Sequence, residues 1–181
     1  MKKTKTVEMV LCALFAALSA VLSQISVPIG IVPVNLTHVS VFTAAGLLGA
    51  KYGAFSQIAF VLMGCAGIPV FSGFMGGAGV IAGPTGGFII GYVICAFVSG
   101  LLIGRFGKSM KALFLAMYAG WACSYVPGVF WFMHITGVEL AAALPICVFP
   151  FLPGDAAKTA LCAILVNRLR LPVQNMASRQ I

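Results

Sequence analysis

Acidic side chains are almost missing from this chain of 181 residues: Glu8, Glu139 and Asp155 are the only three. A reaction that needs two carboxylates side by side, one as acid and one as base, has no residues to run on. Charge of either sign is scarce, at 8% of residues against about 25% in a soluble domain, too little to build a water-facing surface. Cysteine pairs are also absent. Cys12, Cys65, Cys95, Cys123, Cys147 and Cys162 form no CxxC and mostly fall in apolar segments. They read as small helix residues, with neither metal spacing nor a disulfide framework. His38 and His134 lack the spacing and acidic partners of a metal site. No HExxH or GxSxG occurs. Gly104-Arg105-Phe106-Gly107-Lys108-Ser109 looks like the end of a phosphate-binding loop, but Leu102 stands where the GxxxxGK[ST] pattern needs glycine, and no strand precedes it. The chain therefore has no ATP site. No repeat of about 20–50 residues is evident, nor the matched broken halves of an inverted-repeat transporter.

Apolar residues are what the chain has: 61% of the total. The length accommodates roughly six spans of about 20 residues with short connections. This predicts an all-α integral membrane protein and one domain covering 1–181. The apolar segments run over about 7–25, 36–50, 53–70, 86–104, 110–133 and 152–168. Between the first two lies Pro28-Ile29-Gly30-Ile31-Val32-Pro33, with two ring-locked φ angles. A glycine-rich loop separates the third and fourth. The stretch 134–151, interrupted by Pro145 and Pro150, is too short to span twice and is expected to cap the outer face. Lys2, Lys3 and Lys5 before the first segment resemble a signal peptide's basic start, but cleavage would spoil the charge arithmetic. An uncleaved first helix is expected.

The charge arithmetic sets the topology. Lys2, Lys3, Lys5, Lys51, Arg105, Lys108, Lys111, Arg168, Arg170 and Arg179 all lie in connections that six spans place on one side. That side is the cytoplasm by the positive-inside rule, so both termini are expected there. A net charge of +8 invites a nucleic-acid reading, yet the cations punctuate apolar segments and form no stripe with aromatics. Topogenic charge is the better account, with the lipid bilayer as partner and no nucleic acid.

The remaining cation is Lys158, within Pro150-Phe151-Leu152-Pro153-Gly154-Asp155-Ala156-Ala157-Lys158. Pro and Gly stop the preceding structure, and Asp155 is expected to cap the last helix. A lysine in that first turn opposes the helix dipole. A charge inserted at a helix centre costs about 2.5–3.5 kcal/mol. Asp155 and Lys158 share a face at i and i+3 and offset one another in part. Either they form a structural pair with Lys158 snorkelling outward, or they line a ligand site. The second is preferred, because a cation beside a helix N-terminus suits an anionic group and a carboxylate accepts from N–H donors.

Gly67 to Gly79, continuing through Ala82-Gly83-Pro84-Thr85-Gly86-Gly87-Phe88, is rich in glycine. Glycine lets backbone approach a ligand closely, and Phe71, Phe74 and Phe88 are candidate walls. The same stretch also reads as an external lid without ligand contact. Ala13/Ala17 and Ala16/Ala20 form two overlapping small-xxx-small pairs, which serve an internal packing face or a partner face equally well. His38 either faces the pocket or packs, and His134 is expected at the outer interface.

Three stretches together resemble the biotin-specific substrate-binding (S) component of energy-coupling factor transporters, the BioY family. They are Gly67-Ile68-Pro69-Val70-Phe71, Gly83-Pro84-Thr85-Gly86-Gly87-Phe88-Ile89-Ile90-Gly91-Tyr92 and the segment from Pro150 to Lys158. Their order, their spacing and the total length match as well. The resemblance implies a six-helix fold in a prokaryotic plasma membrane. It implies high-affinity capture of biotin without a cofactor, and association with a membrane coupling protein and two cytoplasmic ATPases. It assigns polar ligand contacts to Asp155 and Lys158; Phe71, Ser72, Thr85, Phe88, Tyr92 and Asn35 are the further expected ligand residues. The glycine-rich loop closes over the ligand. It assigns docking on the coupling protein to Ala13 and Ala17, with Ala16 and Ala20 as further candidates. One departure stands out: many members read Pro-Val-Thr-Leu-Gln where this chain has Pro33-Val34-Asn35-Leu36-Thr37. The glutamine's contact is in doubt, and Asn35 offers an amide nearby. The alternatives are an S component for another vitamin, and a self-contained channel or secondary transporter. A membrane enzyme lacks a catalytic constellation.

Overall fold

The computed structural model describes residues 2–28, 31–107 and 109–178. Ile29, Gly30, Lys108 and Arg179, named above, lie outside the described residues. The elements in chain order are α1 (Lys2–Gln24), β1 (Ser26–Val27), β2 (Val34–Asn35), α2 (Thr37–Cys65), α3 (Ala78–Ala82), α4 (Gly86–Phe106), α5 (Met110–Thr136), α6 (Leu140–Cys147) and α7 (Leu152–Ser178). β1 and β2 form a two-stranded antiparallel ribbon, Ser26 opposite Asn35, where the sequence predicts only a loop.

Among the described residues four helices are long and apolar enough to cross a membrane: Thr6–Gln24, Thr37–Cys65, Gly86–Phe106 and Met110–Thr136. A fifth crossing follows if Leu140–Cys147 and Leu152–Arg170, bent by 49°, count as one span. The fold is thus an all-α membrane bundle.

α2 takes up the two segments expected at 36–50 and 53–70 but ends at Cys65, leaving 66–70 in the following loop, and it is not one rod. Gly49 inside it is non-helical, with φ 78° and ψ −176°. A straight helix of 29 residues would be about 43 Å long. Yet Asn35, just before α2, donates from Nδ2 to Ser72 Oγ, just beyond its end, at 2.8 Å. The chain reverses at Gly49 into two arms, 37–48 and 50–65. Their closeness shows at Gly53, where a Cβ would lie 3.1 Å from Ala45 Cα.

Only glycine adopts the Gly49 backbone readily, and strain in such regions costs about 1–3 kcal/mol for other residues. No atom stands within 4 Å of a Cβ placed there, so strain acts without a clash. Gly49→Val is expected to lower stability by about that amount, measured by thermal unfolding in detergent. An unchanged midpoint would show that the reversal does not depend on glycine.

α2 is central and packs against α1, α4 and α7, while α5 packs on α4 and α7. One core cluster joins Ala16, Phe42, Phe60, Cys95, Leu113, Met117 and Val166. A second joins Val32, Val129, Phe132, Ala143, Cys147 and Phe151. α1 is tied in by Ser19 Oγ, which bonds Ser40 Oγ at 2.9 Å and Gln57 Oε1 at 3.2 Å, all buried. In lipid such interhelical hydrogen bonds and close packing hold helices together, because lipid removes the hydrophobic drive. The stretch 134–151 carries α6, a short helix with Pro145 inside it.

Candidate functional site

Two adjoining cavities open between the helix ends and share Val32, Pro33, Asn35, Phe88 and Tyr92. The first encloses about 510 Å³, including space at its mouth, and the second about 350 Å³. Larger grooves, one lined by Phe55, Ile58, Val93, Ile94 and Phe97 beside Lys51, are open and almost wholly apolar, as a lipid-bathed surface should be.

The second chamber holds the charges. Asp155 and Lys158 are 3% and 7% exposed, and Lys158 Nζ donates to Asp155 Oδ1 at 3.0 Å. Tyr125 OH donates to the other carboxylate oxygen, Oδ2. Asp155 is therefore not the cap of the last helix that the sequence predicts. α7 begins earlier, at Leu152, with Pro153 in its first turn, where a missing N–H costs nothing. The Asp155 backbone N–H donates to Phe151 O at 2.8 Å. Its carboxylate is left to Lys158 and Tyr125, which offer a charge-assisted partner for each oxygen.

Aromatic rings form the floor. Lys158 Nζ lies 5.3 Å from the centre of the Trp121 ring, a favourable place for a cation. Trp121 stacks on His38 at 3.8 Å and on Tyr125 at 5.7 Å, and His38 meets Tyr92 edge-on at 4.8 Å. Trp121 Nε1 donates to Thr159 Oγ1 at 3.1 Å, and Thr159 Oγ1 donates to Asp155 O at 2.7 Å. These bonds tie α5 to the first turns of α7 and hold the pair in place.

The first chamber is mainly apolar, walled by Phe60, Phe71, Val80, Phe88 and Ile89, with Ser23, Asn35, Thr37, Ser72 and Thr85 as polar points. Phe71 reaches it because Gly64 has no side chain: a Cβ on Gly64 would sit 2.0 Å from the Phe71 ring. Asn35 organises the junction between chambers. Its Nδ2 donates to Ser72 Oγ and to Tyr92 OH at 2.8 and 3.2 Å, while its Oδ1 accepts from the Thr37 N–H at 3.1 Å.

All eight expected ligand residues, Asp155, Lys158, Phe71, Ser72, Thr85, Phe88, Tyr92 and Asn35, line one chamber or the other. Phe74 is the exception among the candidate walls. It is 72% exposed at the tip of a turn bridged from Phe71 to Met75, with φ 56°. The turn is clasped by Gln24 at the end of α1: Phe74 N–H donates to Oε1 at 2.9 Å and Nε2 donates to Phe71 O at 3.1 Å. Ser23 Oγ adds a hydrogen bond to Val70 O.

On α1 the small residues divide. Ala16 is 3% exposed and belongs to the core, with Ala20 packed against it, whereas Ala13 and Ala17 face outward. Sequence reasoning did not find Trp121, Tyr125, Phe60 or Gln24, and left His38 open. Trp121 and Tyr125 do share a face at i and i+4, but nothing in their apolar segment marks that face as the inner one.

Fold and site together define a multi-span membrane protein with two adjoining chambers among its helices. The chain belongs to the BioY family, whose model matches residues 1–175. It is 37% identical over 167 residues to the biotin transporter BioY of Thermotoga maritima, covering 90% of this chain and 95% of that one. It is 40% identical over 166 residues to the probable biotin transporter BioY of Pyrococcus horikoshii, covering 92% and 98%. Its structure matches the crystal structure of the S-component for biotin from an ECF-type ABC transporter with a TM-score of 0.86, at 29% identity and 94% coverage of each chain.

Proposed function

We propose that this chain is the biotin-capturing S component of an energy-coupling factor transporter in a prokaryotic cell membrane. The observation that carries this is a buried Asp155–Lys158 pair over an aromatic floor, opening onto an apolar chamber, in a chain of this family. The apolar chamber takes the ring and aliphatic chain of biotin, at about 25 cal/mol per Å² of apolar surface buried. The polar chamber selects its ureido and carboxylate groups. Binding involves no covalent chemistry. Energy comes from partners, a membrane coupling protein and two ATPases, since this chain has no nucleotide loop.

The whole chain acts as one domain with six crossings: α1, the two arms of α2, α4, α5 and α7. The reversal at Gly49 and the Asn35–Ser72 contact support counting α2 twice. The topogenic cations then share the cytoplasmic side with both termini. Ala13 and Ala17 form the docking face on α1, and the glycine-rich stretch closes the chamber.

Mass spectrometry of the small molecule that co-purifies with the protein tests the assignment, together with calorimetry against biotin, thiamine and riboflavin. Biotin alone should bind tightly; equal binding of another vitamin would end the proposal. Gln24→Ala removes the three hydrogen bonds that join Gln24 to the closing loop, at Phe74 N–H, Phe71 O and Pro69 O, worth about 1 kcal/mol each. Biotin should then dissociate about tenfold faster or more, read by chase of labelled biotin, and an unaltered rate would show that the clasp does not hold the loop shut.

A further inference from the structure

Taking the chain as a biotin-capture subunit, as proposed above, leaves His38 without a role. It stands in the first turn of α2 and lines the charged chamber with Asp155 and Lys158. Its ring is set by Trp121 at 3.8 Å, Tyr92 at 4.8 Å and Phe42 at 5.9 Å. Packing of that kind asks only for a flat ring, which phenylalanine supplies without a polar cost. Histidine adds nitrogens, and Nε2 is buried with no hydrogen-bond partner. A buried polar atom without a partner is unfavourable and uncommon in native structures, so the atom calls for a partner that the protein itself does not provide.

The chemistry of that partner follows from the neighbours. A neutral imidazole carries one N–H donor. Lys158 Nζ lies over the same Trp121 ring on which His38 stacks, so two donors flank one ring in one chamber. With the proton on Nε2 an oxygen acceptor serves both donors, whereas a ligand N–H would pair only with the other tautomer of His38 and never with Lys158. We infer that His38 Nε2 donates a hydrogen bond to an oxygen of the bound ligand, beside Lys158, and that it helps select ligands carrying an oxygen at that point. Biotin has two candidates, the ureido carbonyl and the carboxylate.

Calorimetry in detergent tests this with three ligands: biotin, its thio analogue with sulfur in place of the ureido oxygen, and an analogue with a methyl group in place of the carboxylate. Each is titrated into the unaltered protein, His38→Phe and Lys158→Ala, with thermal unfolding as the check on folding. His38→Phe keeps the stack and removes the nitrogen, and should weaken biotin binding about ten- to a hundredfold. The analogue lacking the contacted oxygen should be weakened by His38→Phe far less, which identifies the oxygen.

Equal biotin affinity in the unaltered protein and a folded His38→Phe variant overturns the contact. So does an equal loss for all three ligands, which assigns the effect to ring fit. If His38→Phe does not fold, His38→Leu takes its place, and equal affinity of the unaltered protein for all three ligands also overturns the contact. Failure of the unaltered protein to bind biotin, or unchanged binding in Lys158→Ala, would defeat the biotin-site assignment itself rather than the role of His38.

Discussion

Lys158→Ala is expected to lower biotin affinity by about tenfold to more than a hundredfold, the worth of one lost hydrogen bond to a charged group at about 1.5–3 kcal/mol. Asp155→Asn should fall in the same range. Both side chains are almost fully buried, so each variant also leaves its partner in difficulty. Breaking one side of a buried pair costs about 3–5 kcal/mol of stability. After Lys158→Ala the Asp155 carboxylate retains only Tyr125. Loss of binding alone would therefore not separate a damaged fold from a missing contact. The double variant Asp155→Asn with Lys158→Met makes that separation. It removes both charges at similar volume, a change that is often neutral or stabilising, so its melting temperature should return towards that of the unaltered protein. Biotin affinity should stay low, because the groups that contact the ligand are gone. Recovery of both quantities would make the pair a purely structural one. Unchanged affinity in both single variants would remove Asp155 and Lys158 from the ligand site.

Ala13→Trp and Ala17→Trp are expected to abolish assembly with the coupling protein and ATPases while leaving biotin affinity unchanged. The two alanines lie one helical turn apart on the outward face of α1. Small residues there let a partner helix approach closely, and in lipid that proximity is the main source of helix–helix attraction. An indole side chain holds the partner away across a full turn. The chambers are lined by neither residue, so capture should persist. Co-purification of the four-component complex, with calorimetry on the isolated subunit, reads both effects; intact complex with Trp at both positions would refute docking on this face. Ala16→Trp makes the contrast. Ala16 is in the core, and its replacement should destabilise the subunit itself by overpacking, by about 1–3 kcal/mol.

The two pairs of alanines also show where the sequence stops being informative. Ala13/Ala17 and Ala16/Ala20 are indistinguishable as patterns. In a soluble helix the polar face would reveal the outside, but lipid is as apolar as the core, so α1 carries no such label. The same ambiguity hid Trp121 and Tyr125, since α5 also carries Tyr118 and Trp131 and hydropathy does not say which rings turn inward. Gly49 was one glycine among 21, and its positive φ emerges only from the packed arms. Asp155 was misjudged as a cap because its better partner, Tyr125, lies 30 residues away on another helix.

Charge escapes that ambiguity. Placing a cation or carboxylate in lipid is so costly that its position along the chain already carries a reason. The sequence by itself therefore determined that this is a membrane protein and that Asp155 and Lys158 belong together. Which ring lies under the lysine, which alanines face a partner and where the longest helix doubles back were decided by tertiary packing. Those outcomes depend on contacts between apolar surfaces that, taken one residue at a time, are physically alike.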